Sequence, residues 1–174
     1  MMLMEVSVKD IKPHPLYSEI YSSSDIEELS NSIEKIGLLE KIVVTKDLVL
    51  ISGHRRLEAV KDIGLDKIEV EVRDIDEKDH GLFIISYNIQ RTKKPSEILN
   101  EIKYLYDYYG KNQGKRTDLT SNKVGRGLTT QSRISKDLNI SNGNISKLLF
   151  IDRINNGMID LIDKGIMTIN QAYL

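Results

Sequence analysis

A chain of 174 residues is long enough for one ordinary domain or two small ones. It has no cysteine, which excludes disulfides, thiolate-held zinc and thiol chemistry, and its 40% hydrophobic and 29% charged residues give a soluble globular balance. The net charge of −1 hides an uneven distribution: 11 Lys/Arg against 18 Asp/Glu in residues 1–90 give −7, and 14 against 8 in residues 91–174 give +6.

The second half is most basic over residues 111–136, where seven cations face Asp118 alone. A solvated surface usually mixes its signs, so the stretch points to a polyanionic partner. The opening MMLMEVSV is too short and too soon acidic for a signal peptide. No later run approaches the roughly 18 apolar residues of a membrane span, and a cytoplasmic location is expected.

In chain order, MEVSVKDIKPHP alternates at Val6 and Val8 and stops at two prolines, which predicts a strand leaving into a turn. SSSDIEELSNSIEKIG predicts a helix capped by a serine or Asp25, with Ile26, Leu29, Ile33 and Ile36 on one face and Gly37 at its end. KIVVT and LVLIS are two short strands around a turn at Lys46 and Asp47. HRRLEAVKDIG reads as a helix with Leu57, Val60 and Ile63 at helical spacing, and KIEVEVRDI as a half-buried strand with Ile68, Val70 and Val72 inward. Helical periodicity returns over 77–91 and over 95–110, where Ile98, Ile102, Leu105 and Tyr109 line one side. The fold class expected is α+β. A small domain spans 1–110, a basic Gly/Ser/Asn-rich linker 111–128, and an all-helical domain 129–174.

That last part carries the sharpest local pattern, QSRISKDLNISNGNISKLL. A DNA-binding helix-turn-helix needs two short helices locked at a steep angle, hence apolar residues at fixed places and a small residue where the helices approach. Counting from Gln131, those places hold Ile134, Leu138, Ile140, Ile145 and Leu148, with Ser135 as the small residue and Asn139 at the left-handed turn position. Thr129 or Thr130 can cap the first helix and Ser141 the second. Thr130, Gln131, Ser141, Asn142, Asn144 and Lys147 are then candidates for contacts to DNA, the second-helix residues to base edges or phosphates in the major groove, and Lys115, Arg116, Arg126 and Arg133 for phosphates. An ordinary helical hairpin would share the lengths but does not require the five matched apolar positions.

Two further polar clusters lie upstream. In VLISGHRRLEAV a strand hands over to Gly53 and then to His54, Arg55 and Arg56 at a helix start, which reads either as an anion-binding corner or as a turn glycine with two solvated arginines beyond it. In SYNIQRTKKP, Asn88, Gln90 and Arg91 fall together, with Lys93 and Lys94 read as a solvated helix start. GLLEKIVV, SGHRRLEAV, NIQR, the helix-turn-helix and IDRINNGMIDLIDKGIMTINQA stand in the order found in the ParB family of chromosome- and plasmid-partition proteins, which the chain resembles over nearly its whole length.

The resemblance implies a ParB/sulfiredoxin-like first domain in which Gly53, His54, Arg55, Arg56, Asn88, Gln90 and Arg91 hold the triphosphate of CTP. It also implies a homodimer on double-stranded DNA that closes into a sliding clamp, and a ParA-type ATPase as partner. Two departures stand out. The family commonly has glutamates where this chain has His54 and Tyr87, so Mg2+ loses its expected oxygen ligands and CTP hydrolysis is at most weak. A Gly-His-Arg-Arg version occurs in the family's mobile-element members, to which this chain is read as nearer. Sulfiredoxin has a cysteine in its corresponding motif; Ser52-Gly53-His54-Arg55 does not, so that chemistry is excluded.

Other readings stay open: a transcriptional regulator of a plasmid, phage or other mobile element without nucleotide switching, or a nucleotide-dependent kinase or hydrolase on the same fold. His14, His54 and His80 are scattered and read as surface residues, no metal site is expected from them, and the Tyr104–Gly110 aromatics read as core packing. TINQAYL ends within a predicted helix, which leaves room for a dimerisation segment beyond it.

Overall fold

Alternation along one strand organises the first unit of the structure, a computed structural model that describes residues 2–23, 25–112 and 129–174. In β4 (Lys67–Arg73) Ile68, Val70 and Val72 are buried while Lys67 and Glu69 face solvent, as a pleated, half-covered strand requires. β4 pairs antiparallel with β1 (Met2–Ser7) and parallel with β2 (Ile42–Thr45). β2 turns back through Lys46–Leu48 into β3 (Leu50–Ser52), giving the sheet order β1-β4-β2-β3.

Interior strand β2 is buried at all four residues, because it is paired on both edges. α2 (Glu27–Ile36) and α3 (His54–Asp62) pack against each other, and Ile33, Leu57 and Val60 join Ile42, Val44 and Val70 in one core. Ile36, expected on the same apolar face, is 60% exposed. It is the last residue of α2, and Gly37 at φ +78° turns the chain away there. A short α1 (Pro15–Ile20) precedes α2, and α4 (His80–Tyr87) follows β4.

The chain divides into Met1–Tyr87 and Asn88–Leu174. The change of composition put the expected division near Gly110, but α5 (Pro95–Asn112) packs with the helices that follow: α6 (Thr130–Leu138), α7 (Asn142–Asn155) and α8 (Gly157–Asp163). Composition registers a polar segment; packing decides on which side of it a helix belongs. α5 buries Leu99, Ile102 and Leu105, and between α6 and α8 the buried residues include Ile134, Leu138, Ile145, Leu148, Ile151 and Ile159. A last short helix, α9 (Ile169–Tyr173), opens with a reciprocal capping box between Thr168 and Gln171. Among the described residues no helix is long and apolar enough to cross a membrane.

Candidate functional site

β3 ends at the buried Ser52 and the chain must turn sharply into α3. Gly53 does this at φ +98° and ψ +30°, a left-handed conformation that a side chain would resist, and a Cβ there would meet Ile42 Cγ1 at 3.1 Å and Arg56 Nε at 3.3 Å. Gly53 is the N-cap of α3, and its carbonyl accepts the first helical bond from the Leu57 N–H at 2.8 Å. The first turn of α3 contains no acidic residue. Its free amides and the positive end of the helix dipole therefore face no built-in counter-charge, which favours an anion.

The two arginines are partly engaged. Exposed Arg55 donates from Nη2 to the Asp25 carbonyl at 2.8 Å. Arg56 donates from Nη1 to the carbonyls of Glu40 (2.8 Å) and Lys41 (3.0 Å), and pairs with the Glu40 carboxylate at 3.2 Å. Each tethers a loop beside the corner with one nitrogen, and a guanidinium has five N–H donors in all.

His54 behaves differently from its neighbours. It is only 7% exposed, its ring lies flat on Tyr17 of α1, and neither ring nitrogen has a hydrogen-bond partner. Burial, reinforced by nearby His14, depresses its pKa to about 3, so it is a neutral imidazole at physiological pH. The expectation of three surface histidines is corrected here: His54 is buried beneath Tyr17 of α1, and His80, at the start of α4, is buried beside His14 and the Ile75 carbonyl. His14 caps α1 by accepting from the Leu16 N–H and meets His80 edge-on at 5.4 Å.

The corner's donor set fits phosphate oxygens through amides and guanidinium nitrogens. It does not fit a hard divalent cation, since neutral His54 and Tyr87 offer no carboxylate. The Tyr87 ring lies under the Arg73 guanidinium at 5.5 Å. Among the described residues no group of three His, Asp or Glu side chains is placed to hold a metal.

The second unit opens just after α4 with a turn at Asn88–Gln90, where the Arg91 N–H donates to the Asn88 carbonyl at 3.1 Å. Gln90 is exposed. Arg91 Nη2 donates to Glu97 Oε1 at 3.3 Å, and Glu97 Oε2 accepts from the Lys94 N–H at 3.1 Å. Lys93, read as solvated, instead pairs with Glu101 at 2.7 Å with both side chains buried. Glu97 and Glu101 were not among the sequence candidates. Their four-residue spacing, opposite cations two residues apart at 91 and 93, was the available signal.

Further along, Thr129 caps α6 by accepting from the Ser132 N–H, and Asn139 takes φ +54° between α6 and α7. Ser141 caps α7 by accepting from the Asn144 N–H, and Ser135 Oγ donates to the Ile140 carbonyl at 2.6 Å across the turn. Thr130 opens α6. Gln131 joins the two helices, its Nε2 donating to the Asn142 carbonyl and to Ser146 Oγ, both at 2.9 Å. Ser141, Asn142 and Asn144 are exposed, whereas half-buried Lys147 donates to Asn170 at 2.7 Å and lies over the Tyr173 ring. Arg133 is exposed with its guanidinium over the ring of Tyr109, whose hydroxyl donates to the Asp137 carboxylate. Lys115, Arg116 and Arg126 lie outside the described residues.

A family model, the ParB N-terminal domain, matches residues 2–89. The chain belongs to the ParB family. It is 30% identical over 151 residues to the probable chromosome-partitioning protein ParB of Campylobacter jejuni, covering 82% of this chain and 54% of that protein. The Helicobacter pylori ParB is 27% identical over 164 residues, covering 86% and 57%. The chain thus spans about half the length of the curated relatives it matches. Its fold is similar to that of a pNOB8-like ParB N-domain, with TM-score 0.70 at 16% identity over 99% of this chain and 78% of that one. It is also similar to a C-terminally truncated ParB from Caulobacter crescentus complexed to the centromeric parS site, with TM-score 0.62 at 20% identity over 98% and 82%.

Proposed function

We propose that this protein is a DNA-partition factor of ParB type, which binds a specific duplex site and carries a CTP-type nucleotide site that switches it towards a clamp. The observation that carries the nucleotide reading is the corner itself. A left-handed Gly53 opens a nine-residue helix whose first turn has two arginines and no acid, inside a matched ParB N-terminal domain. Gly53, Arg55 and Arg56 would hold phosphate oxygens, while neutral His54, buried beneath Tyr17, would pack behind them and not reach the ligand. The family resemblance assigns Asn88, Gln90 and Arg91 to the same ligand. When bound, the nucleotide supplies a charged group for which the protein's conformations can differ in affinity. Magnesium has no fitting donor set at His54 and Tyr87, so the switch is proposed to run on binding, with at most weak hydrolysis.

The DNA reading rests on exposed Ser141, Asn142 and Asn144 at the start of a capped α7, and on the net +6 of residues 91–174, 14 cations less 8 anions. One such helix reads a half-site, so a homodimer is the form proposed to act on DNA, with a ParA-type ATPase as the partner that moves it. The ParB from Caulobacter crescentus that shares this fold was seen on parS DNA, which supports a duplex as ligand.

Isothermal titration of CTP, ATP and GTP, with and without DNA carrying a selected site, tests the proposal. The expected result is preferential CTP binding that weakens in Arg55→Ala/Arg56→Ala. If no nucleotide binds and that variant keeps wild-type DNA affinity, the clamp is lost and a plain transcriptional regulator is left. One observation favours that second reading: both arginines already hold backbone carbonyls.

A further inference from the structure

Arg133 and Asp137 stand four residues apart on α6, a spacing at which opposite charges on one helix face pair with each other. No such pair forms. Tyr109, on α5 of the same unit, meets both residues instead: the Arg133 guanidinium lies over its ring at 5.9 Å, and its hydroxyl donates to the Asp137 carboxylate. Burial and the bond to Asp137 both raise the Tyr109 pKa, so the phenol keeps the proton it donates.

Asp137 is poorly placed for the stability of its own helix. It lies in the last turn of α6, where the helix dipole disfavours an anion, and an acid C-terminal to its cation is the weaker order for a four-residue pair. Its hydrogen-bond partner among the described residues is the Tyr109 hydroxyl.

The two contacts of Tyr109 act differently on the groups they touch. The hydroxyl occupies the carboxylate and anchors the ring to α6. The ring attracts the cation electrostatically and leaves its N–H groups for other acceptors. Among the described residues Arg133 forms no ion pair and donates no side-chain hydrogen bond, and it is exposed. An arginine in this state can meet a phosphate with its whole fork, which a direct pair with Asp137 would prevent.

We propose that Tyr109 is a positioning residue for DNA: it keeps Arg133 apart from Asp137 and holds the guanidinium for a backbone phosphate of a duplex. This rests on the reading of the helical unit as DNA-binding. It adds to that reading a residue of α5, outside the two helices of the helix-turn-helix.

The test is fluorescence anisotropy of the whole chain with a labelled mixed-sequence duplex over a salt series, which reads phosphate contacts without the specific site. Tyr109→Leu should bind roughly threefold to tenfold more weakly at low salt, with a salt slope smaller by about 1, because Arg133 then turns to Asp137. Adding Asp137→Asn to Tyr109→Leu should restore most of the loss. That gain should exceed the one Asp137→Asn gives in the wild-type background, where Tyr109 already occupies the carboxylate. In an Arg133→Ala background, Tyr109→Leu should add little.

Unchanged affinity and slope in Tyr109→Leu overturn the proposal. So does an equal loss in the Arg133→Ala background, or an equal gain from Asp137→Asn in both backgrounds, since either leaves Tyr109 a packing residue only. Thermal melting checks folding. If Tyr109→Leu does not fold, Tyr109→Phe, which keeps the ring and releases the carboxylate, replaces it with the same expected directions and the same overturning results. A wild-type chain that binds no duplex overturns the DNA reading and the proposal together, an outcome distinct from binding that ignores Tyr109.

Discussion

The imidazole of His54 lies on the phenol ring of Tyr17 with ring centroids 3.6 Å apart and planes within 3° of parallel. The stack places a titratable group at the start of α3 in a nearly dry setting and keeps it neutral, since burial depresses its pKa to about 3. The unfolded chain binds a proton at this position near pH 6.5 and the folded chain does not until about pH 3. Stability is therefore complete above pH 6.5 and is lost as pH falls through that window. His14, also lowered by burial and by His80, acts with the same sign. Urea unfolding at several pH values should show a fall approaching about 1.4 kcal/mol per pH unit from His54. His54→Phe, which keeps an aromatic ring on Tyr17, should flatten the slope. A slope unchanged in that variant would show that His54 does not set it.

Gly53 is the position least tolerant of a methyl group. In Gly53→Ala the left-handed backbone and the contacts with Ile42 and Arg56 both oppose the new Cβ, at an expected cost of about 1–3 kcal/mol. Chemical denaturation reads the loss. Displacement of Arg56 should free the loop at Glu40 and Lys41, visible as faster amide exchange there.

The pair of Lys93 and Glu101 predicts an asymmetry between single and double substitution. Glu101→Gln or Lys93→Met alone strands a buried charge and should cost about 3–5 kcal/mol. Lys93→Met with Glu101→Leu should recover most of that loss, since apolar groups of similar size need no partner. Equal losses in all three variants would contradict the burial of the pair.

On DNA, side chains at the start of α7 and Lys147 should separate by the kind of contact they make. Asn144→Ala should cost about 1–3 kcal/mol and relax the preference at one base position. Lys147→Ala should weaken all sequences alike and reduce the salt slope by about 1. Fluorescence anisotropy across a salt series distinguishes the two. Lys147 is also held by Asn170, so Asn170→Ala should alter the same salt-dependent term without shifting base preference.

Much of the fold was readable because its signals are local. Period-two burial in β4, caps at Thr129 and Ser141, and left-handed Asn139 each follow from residues a few positions apart. The glycine corner was readable for the same reason: a strand that ends against a helix leaves its linking residue few conformations other than glycine's. The histidines, Lys93 and the arginines were read less well. Whether His54 is solvated depends on Tyr17, 37 positions away, and whether Lys93 is solvated depends on the Glu101 carboxylate, nearly two helical turns inside α5. Composition also set the expected domain division at the linker, whereas α5 packs with the helices beyond it.

The sequence by itself determined the α+β class, the order of elements, the family and the residue types at the corner, since these rest on periodicity, propensity and short spacings. Only the tertiary structure decided the electrostatic state of those residues: His54 neutral beneath Tyr17, Arg55 and Arg56 bonded to neighbouring carbonyls, and Arg91 held by Glu97. Charge and hydrogen-bond capacity depend on burial and on partners distant along the chain, and no local pattern encodes the dielectric that a side chain meets once the chain has closed around it.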